Sequence, residues 1–254
     1  MKLFGIRTRI IKTGDDLVEI VTEALRKQEI TVEEGDVLAV ASKVVATAEG
    51  RLRKLDMVKP SNKAKRLAED YDLEPSFVEV VLQESDEVYG GVPKALLTLK
   101  NHVFTINAGV DHKNAPEGYV ALWPKNPQNS AEKIRRKVHE KTDKKVGVLI
   151  VDSMVSPRRM GTIGVALGAA GFEPVKDYRH SKDLYGNSIH ITRHALADDI
   201  ACAAHLIMGE SVEQTPIVLV RDSPVKLSEK VDPEYMIIPK EQCLFGKLLK
   251  KNGL

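Results

Sequence analysis

Val146-Gly147-Val148-Leu149-Ile150-Val151 is an uninterrupted apolar run that stops at Asp152. A strand with no polar alternation has both faces covered, so this chain must build layers on either side of a sheet. A buried carboxylate without partners is too costly to keep, so Asp152 must meet a cation, a group of donors or water at the sheet edge. In open α/β sheets that carboxyl-terminal edge is where ligands gather. A second short peptide has the same form, with Asn107-Ala108-Gly109-Val110-Asp111 following the apolar Val103–Ile106. Two acids placed in this way point to a site for metal and phosphate.

The rest of the chain supplies elements for such a fold. Leu3 to Ile11 reads as one or two strands. Gly14-Asp15-Asp16 introduces a helix to about Gln28, with Leu17, Ile20, Val21 and Leu25 on one stripe. Val37–Ala41 reads as a buried strand followed by Ser42-Lys43. Ser61 caps a helix to about Tyr71, and Glu74-Pro75-Ser76 starts another to Leu82. Asn101-His102 is a hairpin turn between Ala95–Lys100 and Val103–Ile106. Residues 116–129 read as loop, and Ser130 opens a basic helix to about Lys141. The glycine-rich segment 161–171 reads as a strand with close neighbours, suited to packing between subunits. Strands over Ser188–Arg193 and Pro216–Val220, a buried helix over Ala195–Met208 and a basic tail helix over Glu241–Lys251 complete the reading. The expected organisation is one unit over 1–254 with two lobes split near 110–150.

Charge and cysteine content narrow the class. The 254 residues carry a formal net charge of +2, without the concentrated basic surface of a nucleic-acid binder. The two cysteines, Cys202 and Cys243, exclude a disulfide framework, and Cys202 is expected to be buried. The first residues contain no apolar stretch of the signal-peptide kind, and no run approaches a membrane span, so a cytoplasmic protein is expected. P-loop, dinucleotide-binding and nucleophile-elbow motifs are absent. His190 and His194 are four apart in a strand-like segment, a spacing read as structural rather than zinc-binding. Phosphate would therefore be held by scattered lysines, backbone amides and carboxylate-bound cations.

Taken together, several pieces in order resemble the coenzyme F420-0:gamma-glutamyl ligase family. They are Gly35-Asp36-Val37-Leu38, Ser42-Lys43 with Ala48-Glu49-Gly50-Arg51, Asn107–Asp111 with Asn114, Ser130–Arg135, Lys182–Gly186, and Ala197-Asp198 leading to Met208-Gly209-Glu210. The resemblance implies an α+β fold of two interleaved lobes with mixed sheets, and a homodimer. It implies GTP, L-glutamate and the carboxylate of F420-0 as substrates, Mg²⁺ or Mn²⁺ as cofactor, and allows a monovalent cation such as K⁺. It assigns Asp111, Asp152, Ser153 and Glu210 to the metal. It assigns Arg9, Ile10, Ile11, Lys12, Ser42, Lys43, Thr47, Asn114, Met208, Gly209, Ser211, Val212, Glu213, Gln214 and Thr215 to the nucleotide. It names no general acid or base.

Three departures stand against that pattern. Val155-Ser156 replaces a Gly-Arg pair, leaving Arg158 and Arg159 as candidates for an anionic substrate at a shifted reach. Thr47 stands where the family has a lysine. Residues 211–215 contain no glycine in a loop where the family is richer in it. A related ligase with another acceptor, and a nucleotide- and metal-binding paralogue without ligase activity, are the alternatives these changes leave open.

Overall fold

The computed structural model describes residues 1–229 and 231–248. In chain order the elements are β1 (Lys2–Ile6), α1 (Leu17–Lys27), β2 (Val37–Ala41), α2 (Ser42–Ala48), β3 (Leu52–Lys54), α3 (Asn62–Asp70), α4 (Pro75–Glu84), β4 (Glu87–Val92), β5 (Ala95–Lys100), β6 (Val103–Ile106), β7 (Tyr119–Ala121) and α5 (Pro127–Thr142). There follow β8 (Gly147–Val155), β9 (Thr162–Ala170), β10 (Lys176–Asp177), β11 (Arg193–His194), α6 (Leu196–Met208), β12 (Ile217–Arg221) and α7 (Leu244–Leu248). The fold is mixed α and β.

The central sheet has five strands in the order β1-β12-β2-β8-β9. Only β2 and β8 run parallel; the other neighbours are antiparallel. Side chains alternate across a strand, so each strand feeds both faces. Leu38, Val40, Val148 and Ile150 face α1 and α5, meeting Leu17, Ile20, Val21, Ile134 and Val138. Val37, Ala39, Leu149 and Val151 face α6, meeting Ala197, Ile200, Ala201 and Ala204. This is the two-sided cover that the apolar run at 146–151 requires. Full burial of one such Leu or Val contributes about 1.5–3 kcal/mol.

A third apolar cluster lies within residues 55–122. It joins Leu67 and Ala68 of α3, Phe77, Val78, Val80 and Val81 of α4, Leu96 of β5, and Val120 and Leu122. The chain enters this segment through β3 and leaves it through β7, and these two strands pair side by side from Leu52–Ala121 to Lys54–Tyr119. The β4-β5-β6 sheet belongs to the same segment.

Local chemistry explains most boundaries. Asp16 caps α1 by accepting from the Val18 N–H at 2.9 Å, and Ser61 caps α3 by accepting from the Ala64 N–H at 3.2 Å. Asn101 and His102 both take positive φ, the geometry of a two-residue hairpin turn. In β9, a Cβ on Gly164 would lie 2.3 Å from the Ala201 carbonyl oxygen, and one on Gly168 2.7 Å from the Gln128 amide. The glycines of this strand admit the chain's own helices α6 and α5.

Several expectations are corrected. β1 ends at Ile6, and residues 7–11 form no strand. Helix α5 starts at Pro127, capped by Asn126, because proline is well suited to the first helical turn; within the expected loop, Tyr119–Ala121 is a strand. Asp152 does not end its strand: β9 takes up the pairing and carries β8 on to Val155. Ser188–Arg193 is no strand beyond a bridge at Ser188 and the pair Arg193–His194. Cys202 is half-buried, its thiol donating to the Gly164 carbonyl at 3.2 Å. The tail helix covers Leu244–Leu248, and the rest of its expected span, residues 249–251, lies outside the described residues. Among the described residues no helix is long and apolar enough to cross a membrane.

Candidate functional site

The parallel pair β2–β8 stops at Ala41 and Val151, so the next residues along the chain are Ser42, the first of α2, and Asp152, still within β8. Both open into a cleft of about 1090 Å³ at that edge. Asp111, Asp152, Ser153 and Glu210 all line it, as do Arg9–Lys12, Ser42, Lys43, Thr47, Asn114, Met208, Gly209 and Ser211–Thr215. Arg158 and Arg159 do not. They sit exposed on the turn between β8 and β9, beyond the lining.

Asp111 is delivered by an unusual turn. Asn107, Ala108 and Gly109 take φ of 50°, 53° and 70° in succession. A left-handed alanine costs about 1–2 kcal/mol, and the neighbours hold it there. The Asn107 side-chain oxygen accepts from the Leu96 N–H at 2.8 Å, and the Ala108 N–H donates to Thr98 Oγ1 at 2.8 Å. Asp111 then pairs in both directions with the Ala121 backbone, at 3.0 and 2.9 Å.

Each acid of the trio is met by a different group. Lys43 Nζ lies 2.5 Å from Asp111 Oδ2, and also donates to the Lys113 carbonyl at 2.7 Å. Glu210 accepts from Lys113 Nζ at 2.9 Å, Thr162 Oγ1 at 2.6 Å and His205 Nε2 at 3.0 Å. Burial pushes the Glu210 carboxyl up, but the hydrogen bonds from Thr162, Lys113 and His205 outweigh it and hold the group at about 2. Lys113 is raised in turn, first by its bond to Glu210 and then by the charges of Asp111 and Asp152. Asp152 is pushed upward by burial, opposed by the Ser153 N–H at 2.9 Å and by the Trp123 indole N–H.

The donor set suits a hard divalent cation, because it offers only carboxylate and hydroxyl oxygens. Among the described residues, no three Asp, Glu, His or Cys side chains already form a metal cluster. The Lys43 and Lys113 ammonium groups stand against Asp111 and Glu210 instead and supply the countercharge. A cation shared by the three acids requires both lysines to release them.

The walls of the cleft are tied together. Asn114 Nδ2 donates to the Ser211 carbonyl at 3.1 Å, and the Thr8 N–H donates to the Gln214 carbonyl at 3.3 Å. Arg9 makes a two-pronged contact with Asp15 at 2.7 and 2.8 Å. The loop after Glu210 keeps its shape without glycines: Gln214 adopts φ 54°, and the Glu213 carboxylate accepts from the Ser211 N–H at 2.8 Å. These bulkier residues line the cleft without filling it.

Sequence reasoning missed Lys113, Trp123, Thr162 and His205. Lys113 had a local signal, since it sits between the singled-out Asp111 and Asn114. His205 is likewise near in sequence, five residues before Glu210, whereas Trp123 and Thr162 reach the acids only through tertiary packing.

Comparison with known proteins places this chain in a family. The F420-0:Gamma-glutamyl ligase family model matches residues 5–222. The chain is 43% identical over 214 residues to the Coenzyme F420:L-glutamate ligase of Methanopyrus kandleri, covering 84% of this chain and 83% of that one. It is 42% identical over 242 residues to the protein of the same name from Archaeoglobus fulgidus, covering 95% and 94%. With the Methanocaldococcus jannaschii protein of that name it shares 33% over 248 residues, 96% of each. This chain therefore belongs to the F420-0:gamma-glutamyl ligase family.

Proposed function

We propose that this protein is a coenzyme F420:L-glutamate ligase that uses GTP and a divalent cation to join the glutamate amine to the acceptor carboxylate. The observation that carries the reading is one cleft lined by three acids from distant parts of the chain, Asp111, Asp152 and Glu210, with Lys43 and Lys113 set between them. Similarity over most of the chain to proteins named for this activity supports it.

The reaction follows in two steps. A carboxylate oxygen of the acceptor attacks the γ-phosphorus of GTP, and the bond to the β–γ bridging oxygen breaks to release GDP. The glutamate amine then attacks the acyl carbon, expels inorganic phosphate and loses a proton. Negative charge builds on phosphoryl oxygens in both steps, so catalysis is mainly positioning and charge neutralisation. Asp111, Asp152, Ser153 and Glu210 would hold Mg²⁺ or Mn²⁺, which supplies Lewis-acid neutralisation of the phosphates. Lys43 and Lys113, released from their carboxylates, reach toward the phosphoryl oxygens. The 9–12 and 208–215 segments enclose the nucleotide; Arg158 and Arg159, exposed outside the cleft lining, would serve the acceptor only if it extends beyond the cleft.

An isotope experiment tests the acyl phosphate. Acceptor labelled with ¹⁸O in its carboxylate should pass one label into the released phosphate. Phosphate free of label contradicts the mechanism. The stretch 155–191 leaves Met160, Leu184, Tyr185 and Ile191 exposed, and we read it as the face for a second copy of the chain. Light scattering giving the mass of one chain at all concentrations would exclude that dimer.

A further inference from the structure

Trp123 is the sole tryptophan of the chain and only 2% exposed. Its indole N–H donates to Asp152 Oδ2, while the Ser153 N–H donates to Oδ1 at 2.9 Å. The indole is therefore built into the surroundings of an acid that burial disfavours. Both the backbone and the ring of this residue are held. The Arg51 Nε–H donates to the Trp123 main-chain carbonyl at 3.1 Å, and the Lys100 ammonium lies 5.4 Å from the ring centroid. Gly109 lies against the indole, and a Cβ there would fall 2.1 Å from Trp123 Nε1.

We propose that Trp123 is the positioning residue for Asp152, fixing the rotation of its carboxylate so that the lone pairs left free face the cleft. An ionised carboxylate has about four acceptor sites and an indole N–H is a donor only. One bond to each oxygen therefore orients the group and leaves sites for a cation. Side chains of this kind, standing behind a ligand, set its direction, and their loss typically lowers metal affinity about 10–100-fold. The proposal also gives Gly109 a role: it leaves the space in which the indole reaches Asp152. The turn that delivers Asp111 thus also seats the ring that orients Asp152, linking the two acids through one side chain. This inference rests on the cation-binding reading above.

The test replaces the indole N–H without changing ring shape. Because the chain holds a single tryptophan, biosynthetic incorporation of 3-benzothienylalanine exchanges this ring alone, putting sulfur in place of N–H. Mn²⁺ binding is followed by the electron paramagnetic resonance signal of the free ion, and circular dichroism checks the fold. The expected result is an affinity for Mn²⁺ lowered about 10–100-fold with the spectrum of the folded protein unchanged. Gly109→Ala, which pushes the ring away, should weaken binding in the same direction. Equal Mn²⁺ affinity in the native and benzothienyl proteins overturns the positioning role alone. A native protein that binds no Mn²⁺ overturns the cation reading, and this proposal with it.

Discussion

Lys43 and Asp111, 68 residues apart in the chain, meet at 2.5 Å in the cleft. Lys43 comes from the first turn of α2, just past the end of β2, and Asp111 from the left-handed turn after β6. Lys43 balances the Asp111 charge; under the proposed function a cation takes over that balance and Lys43 meets a phosphate. Lys43→Met should therefore leave the protein folded while lowering kcat/KM for GTP about 10–100-fold, the equivalent of losing one or two charge-assisted hydrogen bonds. Steady-state phosphate release measures it, and an unchanged kcat/KM removes Lys43 from the nucleotide site.

The Arg9–Asp15 contact predicts an acid-side pH effect. The Arg9 guanidinium, with the Lys12 N–H, holds the Asp15 carboxyl down from 3.8 to about 2. A carboxyl depressed on folding adds stability that is fully present above its unfolded pKa and is lost as pH falls through the folded value. The contribution should hold above about pH 3.8 and fade toward pH 2. Asp15→Asn should then melt below the native protein at neutral pH, with the gap closing in that acid window. Carboxyl resonances titrating at an ordinary aspartate position would contradict the pairing.

Glu84 lies between two cations, accepting from Lys100 Nζ at 2.6 Å and from Arg51 Nη2 at 2.7 Å. Burial lowers the Lys100 ammonium, while Glu84 itself is held below the usual range because its two partners outweigh its own burial. Removing the shared acid strands a buried ammonium, so Glu84→Gln should destabilise by about 3–5 kcal/mol. Lys100→Met should cost less, because Arg51 still neutralises Glu84. Urea unfolding of the two variants checks the order, and a reversed order contradicts it.

Much of this architecture is legible in the chain. The run at 146–151 demanded cover on two faces, and α1, α5 and α6 provide it. Asp16 and Ser61 cap their helices as their positions suggest. What escaped has physical causes. Proline at 127 reads as a loop breaker, yet it fits the first helical turn, so α5 begins three residues before Ser130. The extension of β8 to Val155 depends on β9 as a partner, which no local pattern within β8 announces. Thr162 binds Glu210 from β9, 48 residues away, a contact made by packing and invisible to spacing along the chain; His205 binds it from five residues upstream, across the end of α6.

The ligase reading meets its most direct test in one incubation of the purified protein with Mn²⁺, GTP, L-glutamate and F420-0, followed by mass spectrometry of the acceptor. The account predicts an acceptor heavier by glutamyl units, with GDP and phosphate formed only when glutamate is supplied. GTP hydrolysis indifferent to glutamate, with the acceptor mass unchanged, would contradict it.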